Sequence, residues 1–97
     1  MKYGLQQNTI ARINEVFSRH PEVEKVVLYG SRAKGTYRPG SDVDLTLDGK
    51  NLTGSMLNKI SLELDDLLLP YVFDLSIYQH IDNADLLEHI KDVGKVF

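Results

Sequence analysis

A strictly alternating segment at residues 42–48, DVDLTLD, constrains the fold of this chain more than any other feature. Successive side chains of a β-strand point to opposite faces, so the segment separates into an apolar side and a polar side. The polar side begins with Asp42 and Asp44. The apolar side consists of Val43, Leu45 and Leu47. The pattern therefore predicts a half-buried strand in a sheet with one covered face and one open, acidic face.

Helical and extended patterns alternate along the rest of the chain. Apolar residues recur at helical spacing in three segments; Pro21 and Pro70 end the first two, and Asp82 and Gly94 are placed to cap and end the third. The predicted elements are a helix at 5–19, strands at 25–29 and 42–48, a helix at 51–69, a strand at 71–78 and a helix after Asp82. This order predicts an α/β (α+β) fold, a small mixed β-sheet with helices packed mainly on one face.

Composition excludes several classes of protein. The 97 residues suffice for one modest core, so we expect a single domain spanning residues 1–97. The absence of cysteine excludes a disulfide scaffold and a thiolate zinc site. A net charge of −3 has the wrong sign for a protein that binds nucleic acid through contacts to its phosphates, so no direct nucleic-acid partner is expected. No apolar stretch approaches the roughly 18–20 residues of a membrane span, and no signal segment is visible, which favours a cytoplasmic protein.

Three acidic residues form the candidate chemical centre. Asp42 and Asp44 lie two positions apart on one strand face, where they would repel each other unless a cation or a proton intervenes. Asp74 lies within the apolar strand YVFDLSIY, where a charge is costly unless it is paired. If the two strands are neighbours, the carboxylates converge and suit Mg²⁺ or Mn²⁺. The alternatives are a solvated polar face for the pair, and a salt bridge to Lys59 or Arg12 for Asp74.

The segment that joins the first two strands, GSRAKGTYRPGS, contains the candidate phosphate site. Gly30 leaves a buried strand and lets the backbone approach a ligand, while Ser31 is placed to cap a short helix whose free amides face an anion. Arg32 is a candidate contact to triphosphate oxygens. A plain turn and an exposed loop cation are the structural alternatives. The three histidines show no metal-ligand spacing and are interpreted as surface residues: His20, His80 and His89.

Together, Tyr29-Gly30-Ser31, ten intervening residues and Asp42-Val43-Asp44-Leu45 resemble the signature of the polymerase-β-like nucleotidyltransferase superfamily. The longer string GSRAKGTYRPGSDVDL is similar to its small "minimal nucleotidyltransferase" (MNT) group, the antitoxins of MNT/HEPN toxin–antitoxin pairs. A third acid on a later strand, here Asp74, completes the triad of that family. The resemblance covers nearly the whole chain, and it implies the polymerase-β-like nucleotidyltransferase core.

The resemblance also implies a role for each candidate residue. Gly30 and Ser31 would hold the β- and γ-phosphates of ATP, the substrate. Asp42 and Asp44 would bind two Mg²⁺ ions. Asp74 would help to bind one ion and accept the proton of the acceptor hydroxyl.

A partner is implied by the same resemblance. Larger relatives carry an added domain that holds the acceptor, whereas minimal members transfer AMP to a tyrosine of a HEPN-domain toxin and so act as antitoxins. We therefore expect a hetero-oligomer with a HEPN-domain protein. Two alternatives stay open: a non-catalytic module that neutralises its partner by occlusion, and a small-molecule nucleotidyltransferase of the aminoglycoside-modifying type.

Overall fold

A four-stranded mixed sheet forms the centre of the computed structural model, which describes residues 1–97. The strand order is β3-β2-β1-β4, with β2 and β3 parallel and the other two pairs antiparallel. The strands are β1 (Lys25–Tyr29), β2 (Val43–Asp48), β3 (Phe73–Ile77) and β4 (Lys95–Val96). The first strand has neighbours on both sides, as its continuous apolar run predicts. The two-residue β4 is too short to leave a pattern in the sequence.

Four α-helices and one 3-10 turn complete the fold. They are α1 (Gln7–Ser18), α2 (Gly30–Lys34), α3 (Gly54–Asp65), the 3-10 turn (Tyr78–His80) and α4 (Ala84–Val93). The first helix starts two residues later than predicted, because Leu5 is fully buried in the segment before it. None of the helices combines the length and the apolar character that a membrane crossing requires.

The helix α3 is shorter than the predicted 51–69. The leucines that follow it continue the apolar pattern, but the chain leaves the helix after Asp65. Leu68 adopts a left-handed conformation with φ of 55° and is 89% exposed. It therefore does not belong to the buried apolar side of the helix, where the apolar pattern of the sequence places it. The helix ends in a tighter turn, in which the amides of Leu67 and Leu68 donate to the carbonyls three residues before them, each at 3.1 Å.

The main core lies between one face of the sheet and the helices α1 and α3. It contains the three apolar residues of the alternating strand, all fully buried. The helices contribute Ile13, Val16, Phe17, Ile60 and Leu64. The opposite face of β2 and β3 carries the polar side chains, as predicted. The small mixed sheet with helices mainly on one face is therefore confirmed.

The last helix, α4, lies on the other face of the sheet, over β1. Val27 and Tyr29 point to that face, because Val26 and Leu28, which alternate with them along the strand, belong to the main core. At the end of α4, Gly94 lies so close to Val27 that a Cβ there would come within 2.8 Å of the Val27 side chain. The polar face of the sheet is thus bounded on one side by α4.

The N-terminal cap of α4 differs from the prediction. Asn83, not Asp82, accepts a hydrogen bond from the backbone N–H of Leu86, at 3.0 Å. Of the two residues that the sequence offers as the cap of α3, Thr53 and Ser55, it is Thr53 that caps the helix, with the Met56 amide donating to its hydroxyl at 3.2 Å. In α4 the cap is shifted by one residue because both candidates are short polar acceptors and only their position on the turn decides.

The cap assignment predicts a difference between two adjacent residues. Asn83→Ala is expected to lower the free energy of unfolding by about 1 kcal/mol, because the Leu86 amide loses its acceptor. Asp82→Ala is the matched control and should change it by less than about 0.5 kcal/mol. Urea unfolding followed by circular dichroism measures both. A larger loss for Asp82→Ala than for Asn83→Ala would contradict the assignment.

Candidate functional site

Three strands bring one row of polar side chains together on the open face. Asp44 on β2 is aligned with Asp74 on the parallel strand β3 and with Tyr29 on the antiparallel strand β1. Neighbouring strands lie about 4.8 Å apart, and aligned residues point to the same face. The structure thus places Asp74 beside Asp44. No ion pair forms at Asp74; the alternative partner Arg12 donates instead to the Leu67 carbonyl at 2.9 Å.

Like charges gather around Asp44. Burial raises the pKa of its carboxyl above the ordinary 3.8, and the neighbouring Asp74 and Asp42 carboxylates raise that pKa further. Asp42 directly precedes β2 and is exposed, as is Asp74. The site therefore holds negative charge that no lysine or arginine neutralises. A bound cation would relieve this repulsion.

Gly30 makes room for the carboxylate of Asp44. Its φ of 74° lies in the left-handed region, and a Cβ at this position would collide with the Oδ2 atom of Asp44. Any other residue would be strained and would push the carboxylate away. The turn after β1 is therefore in direct contact with the acidic row, the name used here for Asp42, Asp44 and Asp74. Glycine is required at the point of contact.

The short helix α2 begins before Ser31, the residue predicted to cap it. Gly30 is its first residue, and the N-cap residue Tyr29 makes no side-chain hydrogen bond to it. Ser31 thus lies within the first turn and is not its cap. The amides of a first helical turn have no acceptor within the helix. The backbone N–H of Gly30 finds one in His89, whose Nε2 atom accepts at 3.0 Å.

Arg32 is buried, whereas a side chain that binds phosphate should be accessible from solvent. Only 2% of its surface is exposed. Its guanidinium donates to the carbonyl oxygens of Ser41 at 2.9 and 3.1 Å, of Tyr3 at 2.9 Å and of Pro39 at 3.3 Å. The guanidinium also lies 5.1 Å from the centre of the Tyr71 ring. This geometry favours a structural role, tying the loop before β2 to the N-terminal segment, because each nitrogen already has an acceptor.

Two further residues belong to the site: His89, which the sequence pattern places at the surface, and Tyr29, whose position in an apolar strand indicates a packing role. His89, half-buried on α4, meets the edge of the Tyr29 ring, with centroids 6.1 Å apart and planes at 82°. Burial raises the pKa of the Tyr29 phenol; a hydrogen bond with Ser76 lowers it, and the Asp74 and Asp44 carboxylates raise it. The phenol therefore stays protonated at neutral pH. No sequence signal separates His89 from His80, because its partner lies 59 residues away.

The donor set suits a hard divalent cation. The acidic residues of the row offer carboxylate oxygens, the ligands of Mg²⁺ and Mn²⁺, and the space left at Gly30 lets the Asp44 carboxylate lie against the turn. The side chains are neighbours but are not already gathered around one point: no group of three or more acidic or histidine side chains is arranged to hold a metal ion as it stands. Exposed Asp42 and Asp74 are able to turn toward Asp44.

The sequence matches a family whose fold agrees with this arrangement. The family described as "Polymerase beta, Nucleotidyltransferase" matches residues 11–97, which include every candidate site residue. No curated protein sequence is significantly similar to the chain.

Solved structures with the same fold come from toxin–antitoxin complexes. A toxin–antitoxin structure with AMP-PNP has a TM-score of 0.72 and 22% identity, covering 95% of this chain and 72% of that one. A double Asp-to-Glu mutant of the MntA–HpeT toxin–antitoxin has a TM-score of 0.71 and 19% identity, with the same coverage of 95% and 72%. The MNT antitoxin with tri-AMPylated HEPN toxin from Shewanella oneidensis has a TM-score of 0.70 and 18% identity, covering 95% and 71%. At these identities the likeness establishes a shared fold.

The repulsion at Asp44 predicts how stability depends on pH. A carboxyl whose pKa is raised in the folded state contributes stability below its unfolded pKa of 3.8, and that contribution is lost as pH rises through the raised value. Asp44→Asn should therefore raise the Tm at pH 7 in metal-free buffer by a few degrees. The difference from the wild type should vanish as the pH falls below 3.8.

The control for this measurement is Glu15→Gln, which removes one negative charge from an exposed position of α1. It should leave the Tm nearly unchanged at each pH. A lower Tm for Asp44→Asn at pH 7, or a difference that does not vary with pH, would contradict the account of the acidic row.

Proposed function

The chain belongs to the polymerase beta nucleotidyltransferase family, and from that membership we propose that it is a Mg²⁺-dependent enzyme that transfers AMP from ATP to a protein hydroxyl. The observation that carries the proposal is the alignment of Asp44 with Asp74 beside the Gly30 turn. Carboxylates for cations and a glycine turn for phosphates are the two features that in-line nucleotidyl transfer requires.

The nucleotide is assigned to the turn after β1. Gly30 would let the β- and γ-phosphates come close to the backbone, and Ser31 would hold them, because the Ser31 amide in the first turn of α2 has no acceptor within the helix. We leave Arg32 out of the nucleotide contacts, since its donors are bound to carbonyl oxygens. Its contribution is indirect: it orders the loop that leads into Asp42.

The metal ligands are assigned to Asp42, Asp44 and Asp74. Two Mg²⁺ ions on these carboxylates would neutralise the charge of the triphosphate and stabilise the charge that develops in the transition state. The raised pKa of Asp44 supports this assignment, because burial and then the neighbouring Asp74 and Asp42 carboxylates disfavour its charged form, and a bound cation would offset both effects.

The chemical step needs one proton acceptor from the chain. Asp74 is exposed at the edge strand β3, so an incoming hydroxyl can approach it from solvent. Asp74 would take the proton of that hydroxyl, whose oxygen then attacks the α-phosphorus as the bond to pyrophosphate breaks. The products are an AMP-ester of the acceptor and pyrophosphate. Positioning and electrostatics supply most of the rate enhancement.

The acceptor is proposed to be a tyrosine of a HEPN-domain toxin, which the modification would silence. Support comes from the folds that this chain shares with an antitoxin bound to an AMPylated HEPN toxin and with a toxin–antitoxin holding AMP-PNP. In this scheme the chain acts as an antitoxin, and the partner supplies the acceptor surface.

A transfer assay tests the proposal. The chain, Mg²⁺ and ATP labelled at the α-phosphate are incubated with a HEPN-domain protein as the candidate partner, and label on that protein is measured. We expect covalent labelling that falls by about 100-fold or more with Asp44→Asn, because the carboxylate that would bind the cations is lost. EDTA should abolish it.

The matched control is Asp48→Asn on the same strand. The Asp48 carboxylate contacts Lys25 and Gln79, away from the acidic row, so labelling should stay near the wild-type rate. Labelling that persists with Asp44→Asn would overturn the mechanism. Neutralisation of the partner by Asp44→Asn without any labelling would point instead to the occluding module.

A further inference from the structure

The proposed chemistry assigns no role to His89, although this residue makes two contacts within the site. Its ring comes from α4, on the far side of the turn from β2, and is half-buried. It lies edge-on to Tyr29 and accepts the hydrogen bond of the Gly30 amide at Nε2, at a distance of 3.0 Å. One side chain thus contacts both the last residue of β1 and the first residue of α2.

The hydrogen bond from Gly30 to His89 restrains a backbone amide that has no partner in its own helix. Gly30 has φ of 74°, and glycine has the widest conformational freedom of any residue. Its amide is the first of a helical turn and has no acceptor within that helix. Without His89, the Gly30 amide would lose its acceptor, and with it one restraint on the directions of the following amides.

The direction of the bond also fixes the state of the ring. A backbone N–H can only donate, so Nε2 of His89 must carry a lone pair and the ring proton sits on Nδ1. In this arrangement His89 is an uncharged acceptor and not a phosphate-binding cation. Its contribution is to hold backbone groups in place.

We propose that His89 is a positioning residue for nucleotide binding: by accepting the Gly30 amide, it sets the orientation of the Gly30–Ser31 turn that receives the phosphates. The inference rests on the proposed function of that turn. It makes α4 part of the nucleotide site without a direct contact to the substrate. Because the turn is held before the nucleotide arrives, the effect falls on binding rather than on the chemical step.

Two substitutions separate the hydrogen bond from the packing of the ring. His89→Leu keeps an apolar side chain against Tyr29 but removes the acceptor, whereas His89→Gln supplies an amide oxygen near the position of Nε2. His80→Gln, at an exposed position of the 3-10 turn, is the matched control. We expect His89→Leu to raise the KM for ATP about tenfold with kcat nearly unchanged, and His89→Gln to restore most of the loss. His80→Gln should behave as the wild type.

A second measurement reports on the turn without any nucleotide. Hydrogen exchange of the Gly30 amide, followed by NMR, should become about tenfold faster or more in His89→Leu and stay close to the wild-type rate in His89→Gln. Wild-type exchange and wild-type KM in His89→Leu would overturn the proposal. Equal losses in the leucine and glutamine variants would also overturn it, because the ring and not the acceptor would then matter.

The two measurements separate this inference from the proposed function. If the wild-type chain bound no ATP in the presence of Mg²⁺, the proposed function would fail, and the assignment of His89 to nucleotide positioning would fail with it. If ATP bound but Gly30 exchange and KM were insensitive to residue 89, the proposed function would stand and only the role of His89 would be overturned.

Discussion

The parallel register of β2 and β3 is the constraint on which the candidate site depends. It aligns Asp44 with Asp74 on a face of the sheet that α1 and α3 do not cover. Two carboxylates side by side are unfavourable for the fold, and burial raises the pKa of Asp44 further in the same direction as its acidic neighbours. A shift of one residue would send Asp74 into the apolar core, so the apolar alternation of both strands enforces the acidic row.

The rest of the site is arranged around that row by elements distant in the sequence. Gly30 leaves space for the Asp44 carboxylate, and His89 from the last helix holds the Gly30 amide. Buried Arg32 ties the loop that precedes Asp42 to the N-terminal segment through backbone carbonyls. The covered face of the sheet supplies stability, while its open face and the turn beside it supply the groups for chemistry. The charged carboxylate of Asp44 thereby lowers the stability of the fold, but it creates a site that favours cations.

The local pattern of apolar and polar residues predicts most of the helices and strands. The roles of individual site residues depend on contacts between residues that are distant in the sequence. The alternation at 42–48 predicts the covered and open faces, and a lone acid in an apolar strand singles out Asp74. The sequence does not distinguish Arg32 from other loop cations or His89 from other histidines, because their roles come from partners far along the chain. The end of α3 was misjudged because the leucines after Asp65 continue an apolar pattern that the backbone does not follow.

Paramagnetic broadening by Mn²⁺ tests the central claim most directly, because it locates a divalent cation without requiring catalysis. In the presence of a non-hydrolysable ATP analogue, substoichiometric Mn²⁺ should broaden the amide signals of Ser31, Asp44 and Asp74 and leave that of Glu15 sharp. The effect should disappear with Asp44→Asn. Broadening centred on the other acidic pair, Asp65 and Asp66 at the end of α3, or broadening that survives Asp44→Asn, would contradict the account.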